Sequence, residues 1–246
     1  MTLTAWPYPA WIAHRGAGKL APENTLAAFR LGAQHGYRAF ECDVKLSQDR
    51  VPFLLHDDTL ERTTTGQGDA AARNWAELSM LDAGSWHSRA FAGEPVASFA
   101  AIAAYCLRNR HHLNIEIKPS LGRERETGEV VARAAATLWA AAPVLPLLSS
   151  FKPDALAGAL AVAPSLPRAL LVDALWDGWF ERAQALQCVA VVANHRLFDR
   201  MLVERLHGAG LRALAYTVND NEAARALLAL GLDGLITDAV DRFAPG

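Results

Sequence analysis

The chain has 246 residues, with 52% hydrophobic and 20% charged residues, which is the composition of an ordinary globular protein. Its formal net charge of −2 gives no electrostatic reason to expect nucleic acid, which binds to basic faces. Residues 1–7 lack the features of a signal peptide, and no stretch approaches the roughly 18 uninterrupted apolar residues of a membrane span. We therefore expect a cytoplasmic protein with no stable membrane association.

Short apolar runs that favour β-strands alternate along the chain with Ala- and Leu-rich stretches that favour helices. Strands are predicted at 11–14, 39–44, 51–56, 113–118, 145–150, 168–172, 188–193, 212–218 and 234–237. Helices are predicted at 24–35, 98–109, 127–140, 153–162, 178–186, 199–208 and 220–230. Strands that alternate with helices indicate parallel pairing in an α/β fold.

Nine strands are one too many for an eight-stranded barrel, and the spacing shows which one is extra. If the second strand extends to residue 46, the run 51–56 follows it after only four residues, Ser47 to Arg50, which suits an antiparallel hairpin and is too short for a parallel crossover. If Gln48-Asp49 is a two-residue turn, His56 lies opposite Glu41. The other eight strands then close a TIM-type (β/α)8 barrel, which typically needs about 250 residues.

Residues 57–97 fit no strand–helix unit and are predicted to form a small ordered insertion after the hairpin. No flexible linker or fixed-period repeat is present, so we expect a single domain over residues 1–246. The three cysteines, Cys42, Cys106 and Cys188, are odd in number and widely spaced. They are therefore expected to be buried and unpaired, as in a reducing compartment.

Carboxylates lie at the ends of two predicted strands. Glu41 and Asp43 are two residues apart, so they project to one face of their strand, and Glu116 comes from another strand end. Adjacent carboxylates repel unless a cation neutralises them, and three hard oxygen ligands suit Mg²⁺ or Ca²⁺. A solvated strand face is the alternative for such a pair.

Two histidines and two cations accompany these carboxylates. His14 and His56 each end a predicted strand, and a pair of histidines can supply a general base and a general acid at neutral pH. Arg15 can hold a phosphate with its planar fork, and Lys118 shares a face with Glu116. A simple structural role is the alternative for each of these four residues. The chain has only four lysines against twenty arginines.

Two aromatic side chains, Tyr216 and Phe151, end later strands and either wall a pocket or pack in the core. The segment Gly16-Ala17-Gly18 lacks the spacing of a nucleotide-binding loop.

Taken together, these motifs resemble the glycerophosphodiester phosphodiesterase family over nearly the whole chain. They are His14-Arg15-Gly16, Pro22-Glu23-Asn24-Thr25, Glu41-x-Asp43-Val44, His56-Asp57, Arg62-Thr63, Gly66-x-Gly68, Ile115-Glu116-Ile117-Lys118, Thr217-Val218-Asn219 and Ile236-Thr237-Asp238. Further stretches around residues 6–9, 18–28 and 82–86 are similar to a cytosolic bacterial type associated with glycerol-3-phosphate uptake.

The resemblance implies a TIM-type barrel with one divalent cation, Mg²⁺ or Ca²⁺, held by Glu41, Asp43 and Glu116. It assigns His14 and His56 to acid–base catalysis and places Arg15 and Lys118 on the phosphate. Members of the family commonly have Trp where this chain has Tyr216, a change that concerns contacts with the alcohol. Two further departures, at 96–99 and at Ala239-Val240, touch neither the metal nor the histidine set.

The function expected from the sequence is therefore hydrolysis of glycerophosphodiesters, such as glycerophosphocholine and glycerophosphoethanolamine, to sn-glycerol 3-phosphate and an alcohol. We favour His14 as the base and His56 as the acid. The nucleophile is either water or the 2-hydroxyl of the substrate, acting through a cyclic phosphate. Two alternatives are a phospholipase-type phosphodiesterase (lysophospholipase D or phosphatidylinositol-cleaving) and a non-catalytic barrel that serves as a binding module.

Overall fold

Eight parallel strands close into a barrel in the computed structural model, which describes residues 6–245. The strands are β1 (Trp11–Ala13), β2 (Ala39–Leu46), β3 (Pro52–Leu54), β4 (His112–Ile117), β5 (Leu147–Ser150), β6 (Arg168–Val172), β7 (Ala190–Asn194), β8 (Arg212–Tyr216) and β9 (Gly234–Thr237). The first strand, β1, pairs in parallel with both β2 and β9, which closes the barrel. The predicted TIM-type fold is confirmed. Most of the N-terminal stretch used to argue against a signal peptide, residues 1–5, lies outside the described residues.

The helices surround the barrel. They are α1 (Leu26–Gln34), α2 (Trp75–Leu78), α3 (Phe99–Arg108), α4 (Glu124–Leu138), α5 (Pro153–Val162), α6 (Trp179–Ala185), α7 (Arg200–Gly208) and α8 (Asn221–Leu230). Side chains cap two helices where the sequence predicts their starts, at 24–25 and 219–220. Thr25 caps α1 by accepting from the Ala28 backbone N–H, and Asp220 caps α8 by accepting from the backbone N–H groups of Glu222 and Ala223. All seven predicted helices are present with ends shifted by a few residues.

The hairpin is antiparallel, as predicted, but its register is displaced by one residue. Val44 pairs with Leu54 and not with Phe53, and the paired ladder ends there. The prediction that His56 lies opposite Glu41 is therefore wrong. The cause is the turn, because Arg50 adopts a left-handed conformation (φ 66°) and makes the loop three residues long. A one-residue change in loop length shifts every partner along the hairpin.

Side chains alternate between the barrel interior and the outer layer. Ala39 lies inside with Leu147, Leu171 and Ile236, and Glu41 and Asp43 follow it on the same face of β2. Cys42 faces the opposite way, into the layer between strands and helices, as predicted. All three cysteines are buried and unpaired, which confirms that expectation.

Residues 57–97 connect β3 to α3 without a strand–helix unit. They contain α2 and two 3₁₀ turns, Ala70–Ala72 and Arg89–Phe91. They are held together by a small apolar cluster that includes Phe53 and Leu55 from the preceding segment, together with Leu60, Ala70, Leu78, Ala83 and Val96. Within residues 6–245, no helix has the length and apolar character needed to cross a bilayer.

Candidate active site

Three carboxylates meet at the carboxyl ends of β2 and β4. The two strands are hydrogen-bonded neighbours, and their register places Asp43 directly beside Glu116. One oxygen from each of Glu41, Asp43 and Glu116 lies within 4.8 Å of the others. Active sites of such barrels are found at this end of the strands. The structure thus brings together the three carboxylates that the sequence singled out.

Burial makes this cluster electrostatically costly. Burial raises the pKa of Glu41 well above its ordinary value, and the charges of Asp43 and Glu116 raise it further. Burial and the charge of Asp43 also raise the pKa of Glu116, to about 7. Burial opposes ionisation of Asp43 as well, but the charges of Arg15, Lys118 and His56 hold its pKa below the ordinary value. Asp43 is thus the member of the cluster most firmly held as an anion.

The carboxylates fit a hard divalent cation. Two of their oxygens, Oε1 of Glu41 and Oδ1 of Asp43, are buried and have no hydrogen-bond partner. Such orphaned buried acceptors are rare in proteins and call for an explanation such as an ion. A donor set made only of carboxylate oxygens suits Mg²⁺ or Ca²⁺.

Two cations and one amide surround the carboxylates. Arg15 places Nε 3.1 Å from Oδ2 of Asp43 and donates its backbone N–H to Glu41 over 3.1 Å. Lys118 places Nζ 3.1 Å from Oε1 of Glu116 and 3.7 Å from Oδ1 of Asp43. Asn24 donates to Oδ2 of Asp43 over 2.8 Å and accepts from the Asp43 backbone N–H. Arg15 and Asn24 both have positive φ angles, of 51° and 60°, so the β1–α1 loop folds tightly over the cluster.

His14 is fixed on one side of the cluster by an aspartate. Its Nδ1 lies 2.6 Å from Oδ1 of Asp238, and its Nε2 lies 3.7 Å from Oε2 of Glu41. Asn219 donates to the other carboxylate oxygen of Asp238. A carboxylate on Nδ1 holds the proton at that nitrogen and leaves Nε2 able to accept one.

His56 has the same kind of support from its neighbour in sequence. Its Nδ1 lies 2.7 Å from Oδ1 of Asp57. Arg62 donates to both oxygens of Asp57 and also binds Glu23, which links the insertion to the β1–α1 loop. These hydrogen bonds, from Arg62 first, keep the pKa of Asp57 well below its ordinary value. Burial lowers the pKa of His56, and among the nearby charges Asp43 opposes this lowering most strongly.

A cavity of about 400 Å³ opens beside His56. It is lined by Lys45, His56, Asp57, Asp58, Glu116, Ile117, Lys118, Pro119 and Lys152. Its volume is within the range of small-molecule sites, about 300–1,000 Å³.

Phe151 and Tyr216 lie on a different part of the barrel mouth, with ring centroids 5.6 Å apart in an edge-to-face arrangement. The Lys118 ammonium is 5.9 Å from the Phe151 ring. Both rings also pack on the interior core. The core alternative is therefore confirmed for both rings, and a role in walling a substrate pocket stays a prediction.

Sequence reasoning assigned no role to several residues that support the histidines and Asp43. Asp57, Arg62, Asn24 and Asp238 occur in the quoted motifs but received no function. A usable signal exists for two of them, because Asp57 directly follows His56 and Asp238 directly follows the last strand. Their geometry depends on loop contacts that no local pattern indicates.

A parallel barrel with clustered carboxylates, two aspartate-supported histidines and flanking cations at its active end has the groups needed for metal-assisted acid–base hydrolysis of a phosphodiester. The comparison with family models is specific: residues 14–242 match the glycerophosphoryl diester phosphodiesterase family. The chain belongs to this family, as its motifs predicted.

Relatives and solved structures agree with this assignment. A Bacillus subtilis (strain 168) protein, YhdW, is 34% identical over 94% of both chains. A glycerophosphodiester phosphodiesterase of Caldanaerobacter subterraneus subsp. tengcongensis is 31% identical over 92% of this chain and 93% of its own. An Oleispira antarctica phosphodiesterase, solved in complex with the product sn-glycerol-3-phosphate, is 36% identical with a TM-score of 0.88, covering 96% of this chain and 95% of its own.

Proposed function

We propose that the protein hydrolyses glycerophosphodiesters to sn-glycerol 3-phosphate and an alcohol with the help of a divalent cation. The observation that carries the proposal is the pairing of a buried three-carboxylate cluster with two histidines whose Nδ1 atoms are each bound to an aspartate. An Oleispira antarctica phosphodiesterase of closely similar fold binds sn-glycerol-3-phosphate as its product, which supports the same product for this chain.

Glu41, Asp43 and Glu116 would hold the cation. The orphaned oxygens of Glu41 and Asp43 support this assignment, because an ion would satisfy both. A bound Mg²⁺ or Ca²⁺ supplies Lewis-acid polarisation of the phosphoryl group. Titration with Mg²⁺ and with Ca²⁺ compares the affinity of the site for the two ions.

Arg15 and Lys118 bind the phosphate in this proposal. Both cations already border the carboxylates, so a phosphate seated there contacts positive charge from two sides. Fixed cations that face the developing negative charge stabilise the transition state without reorganisation.

His14 acts as the base and His56 as the acid. Asp238 holds the Nδ1 proton of His14, so Nε2 is free to take a proton from the nucleophile. Burial lowers the pKa of His56, and a lower pKa makes its protonated form a stronger acid towards a departing alkoxide. Either water or the 2-hydroxyl of the substrate is the nucleophile; isotope analysis in ¹⁸O-water with trapping of a cyclic phosphate distinguishes them.

Glycerophosphocholine and glycerophosphoethanolamine are the substrates proposed first. The cytoplasmic location and the cytosolic bacterial subtype also remain predictions from the sequence.

A second candidate activity, hydrolysis of lysophospholipids, has one observation in its favour. Leu121 follows β4 and is 95% exposed, and Leu175 and Trp176 follow β6 and are each more than 40% exposed. These three side chains lie on loops at the active end of the barrel, where an acyl chain could rest on them.

The test compares sn-glycero-3-phosphoethanolamine with its 1-acyl analogue, with EDTA and after restoring Mg²⁺ or Ca²⁺. We expect release of sn-glycerol 3-phosphate from the deacylated substrate, loss of release with EDTA and recovery with metal. Faster turnover of the acylated substrate would contradict the proposed glycerophosphodiesterase activity and favour hydrolysis of lysophospholipids. Binding without turnover of either substrate would favour a non-catalytic module.

A further inference from the structure

Three of the four lysines of the chain line the cavity beside His56. Lys45 comes from β2, Lys118 follows β4 and Lys152 follows β5, so three neighbouring segments each place one lysine at the same cavity. The fourth, Lys19, lies in the β1–α1 loop. Lysine is thus concentrated at this cavity, although arginine is the commoner cation in the chain as a whole.

The charged side chains that line the cavity form ion pairs, with the exception of one lysine. Lys45 lies 2.6 Å from Asp58, and Lys118 lies 3.1 Å from Glu116. Asp57 is bound by His56 and Arg62. Asp154, two residues beyond Lys152, is in an ion pair with Arg182. Within the described part of the chain, the exposed Lys152 ammonium is in no ion pair.

Lys152 also lies at the start of a helix. It occupies the N-cap position of α5, a helix of ten residues whose first turn begins with Pro153. The positive end of the helix dipole therefore adds to the lysine charge at this side of the cavity.

The position of His56 indicates which part of the substrate reaches this cavity. His56 lines the cavity, and in the proposed function it protonates the departing alcohol. The alcohol must then leave from the side of the phosphate that faces the lysines. This step rests on the proposed function and extends it to the alcohol.

We infer that the cavity binds the alcohol part of the substrate and that Lys152 selects an alcohol carrying a negatively charged group. Glycerophosphodiesters whose alcohol bears a carboxylate or a further phosphate are the substrate class that fits. Glycerophosphoserine is the simplest example, and it differs from glycerophosphoethanolamine by one carboxylate. Both alcohols carry an ammonium group, so a comparison of the two substrates isolates the effect of the added carboxylate.

The experiment measures kcat/KM for glycerophosphoserine and glycerophosphoethanolamine with the metal-loaded full-length protein. We expect a preference for the serine substrate, and we expect Lys152→Gln to reduce the serine-to-ethanolamine ratio about fivefold, the size of one partly exposed ion pair. Lys19→Gln removes the same charge from a position outside the cavity and serves as the matched control, with the ratio unchanged. The preference should also weaken at high salt, because Lys152 is exposed.

Equal efficiency with both substrates, or a ratio that Lys152→Gln leaves unchanged, would overturn the inference. An equal fall in the ratio with Lys19→Gln would overturn it too, since the effect would then be one of overall charge. Hydrolysis of both substrates in these cases leaves the proposed function standing. No release of sn-glycerol 3-phosphate from either substrate refutes the proposed function itself.

Discussion

At the scale of single residues, an aspartate holds each histidine at the site, and only one of the two aspartates is distant in sequence from its histidine. Asp238 follows the last barrel strand and binds His14, whereas Asp57 follows His56 directly in sequence. The contact between His14 and Asp238 joins the segments that follow the first and last barrel strands. The contact between His56 and Asp57 is strengthened by Arg62 of the insertion, which donates to Asp57. The two imidazoles thus reach the cluster with one nitrogen already engaged.

The first prediction concerns the acid. In His56→Ala we expect the rate on glycerophosphoethanolamine to fall by about 10²–10⁴-fold, the usual contribution of general acid catalysis. The loss should be much smaller for a substrate with a p-nitrophenol leaving group, which needs no proton. Steady-state kinetics with both substrates measure the difference. A near-normal rate on the ethanolamine substrate would exclude the role proposed for His56.

The second prediction concerns pH and metal. Burial raises the pKa of Glu116 to about 7 and raises that of Glu41 well above its ordinary value, so in the metal-free protein both carboxyls keep their protons to a higher pH than ordinary glutamates do. A cation must displace those protons, and its affinity should therefore increase as the pH rises. The increase is up to about tenfold per pH unit for each proton released.

Calorimetric titration of Mg²⁺ or Ca²⁺ between about pH 6 and about pH 8, in buffers of different ionisation enthalpy, measures both the affinity and the protons released. An affinity that stays constant over this range would contradict the assignment of these carboxylates as the ligands.

Among individual residues, the sequence was most informative where side chains alternate on rigid strands. Glu41, Asp43 and Glu116 could be placed together because a strand side-chain period of two and parallel pairing determine which residues meet. Asn24 and Arg62 could not be assigned, because their contacts come from loops with left-handed residues and from the insertion.

At the scale of elements, the hairpin shows why boundaries and register are harder to predict than topology. Four linking residues were enough to predict an antiparallel pair, because a parallel crossover cannot be that short. The register depended on the conformation of Arg50, whose left-handed φ no residue preference indicates. His56 nevertheless lines one cavity with Glu116, because the segment after β3 stays beside β2, with the Leu55 backbone N–H donating to the Asp43 carbonyl over 3.2 Å.

The third prediction concerns the loop after β1. Gly18 has φ of +56°, and a Cβ placed there would lie 2.1 Å from the Asp238 backbone oxygen. Gly18→Ala must push apart the loop and the residue that positions His14. We expect a loss of about 3 kcal/mol or more in the free energy of unfolding, together with lower activity.

Gly210 provides the control, because its φ of +79° is equally left-handed but nothing lies within 4 Å of a Cβ there. Gly210→Ala should cost only about 1 kcal/mol, the backbone penalty alone. Denaturant unfolding of both variants makes the comparison. Equal losses would show that the close approach to Asp238 does not matter.

At the scale of the whole molecule, the two ends of the chain are joined through the barrel. Trp11 packs against both large apolar clusters outside the barrel, and its ring stacks on Phe243 with centroids 4.3 Å apart. This continuity supports the proposal that residues 1–246 form one domain, with the insertion at about 57–97 attached through Arg62 and through the small apolar cluster that it shares with Phe53 and Leu55.

The fourth prediction follows from that continuity. Thermal unfolding should give a single calorimetric transition, with near-ultraviolet circular dichroism and tryptophan fluorescence changing together. A separate transition at lower temperature, in which the partly buried Trp75 becomes exposed while the barrel persists, would identify the insertion as an independent unit.

The central claim is that the Glu41–Asp43–Glu116 cluster is a metal-dependent catalytic centre, and release of sn-glycerol 3-phosphate by Glu41→Gln tests it most directly. The substitution keeps the size of the side chain and removes one negative ligand. We expect the release rate at a given Mg²⁺ or Ca²⁺ concentration to fall by at least about 10²-fold, the order seen when a group that stabilises developing charge is lost. Partial recovery at high metal concentration is also expected. A variant that hydrolyses glycerophosphoethanolamine at the wild-type rate, with or without EDTA, would contradict the account.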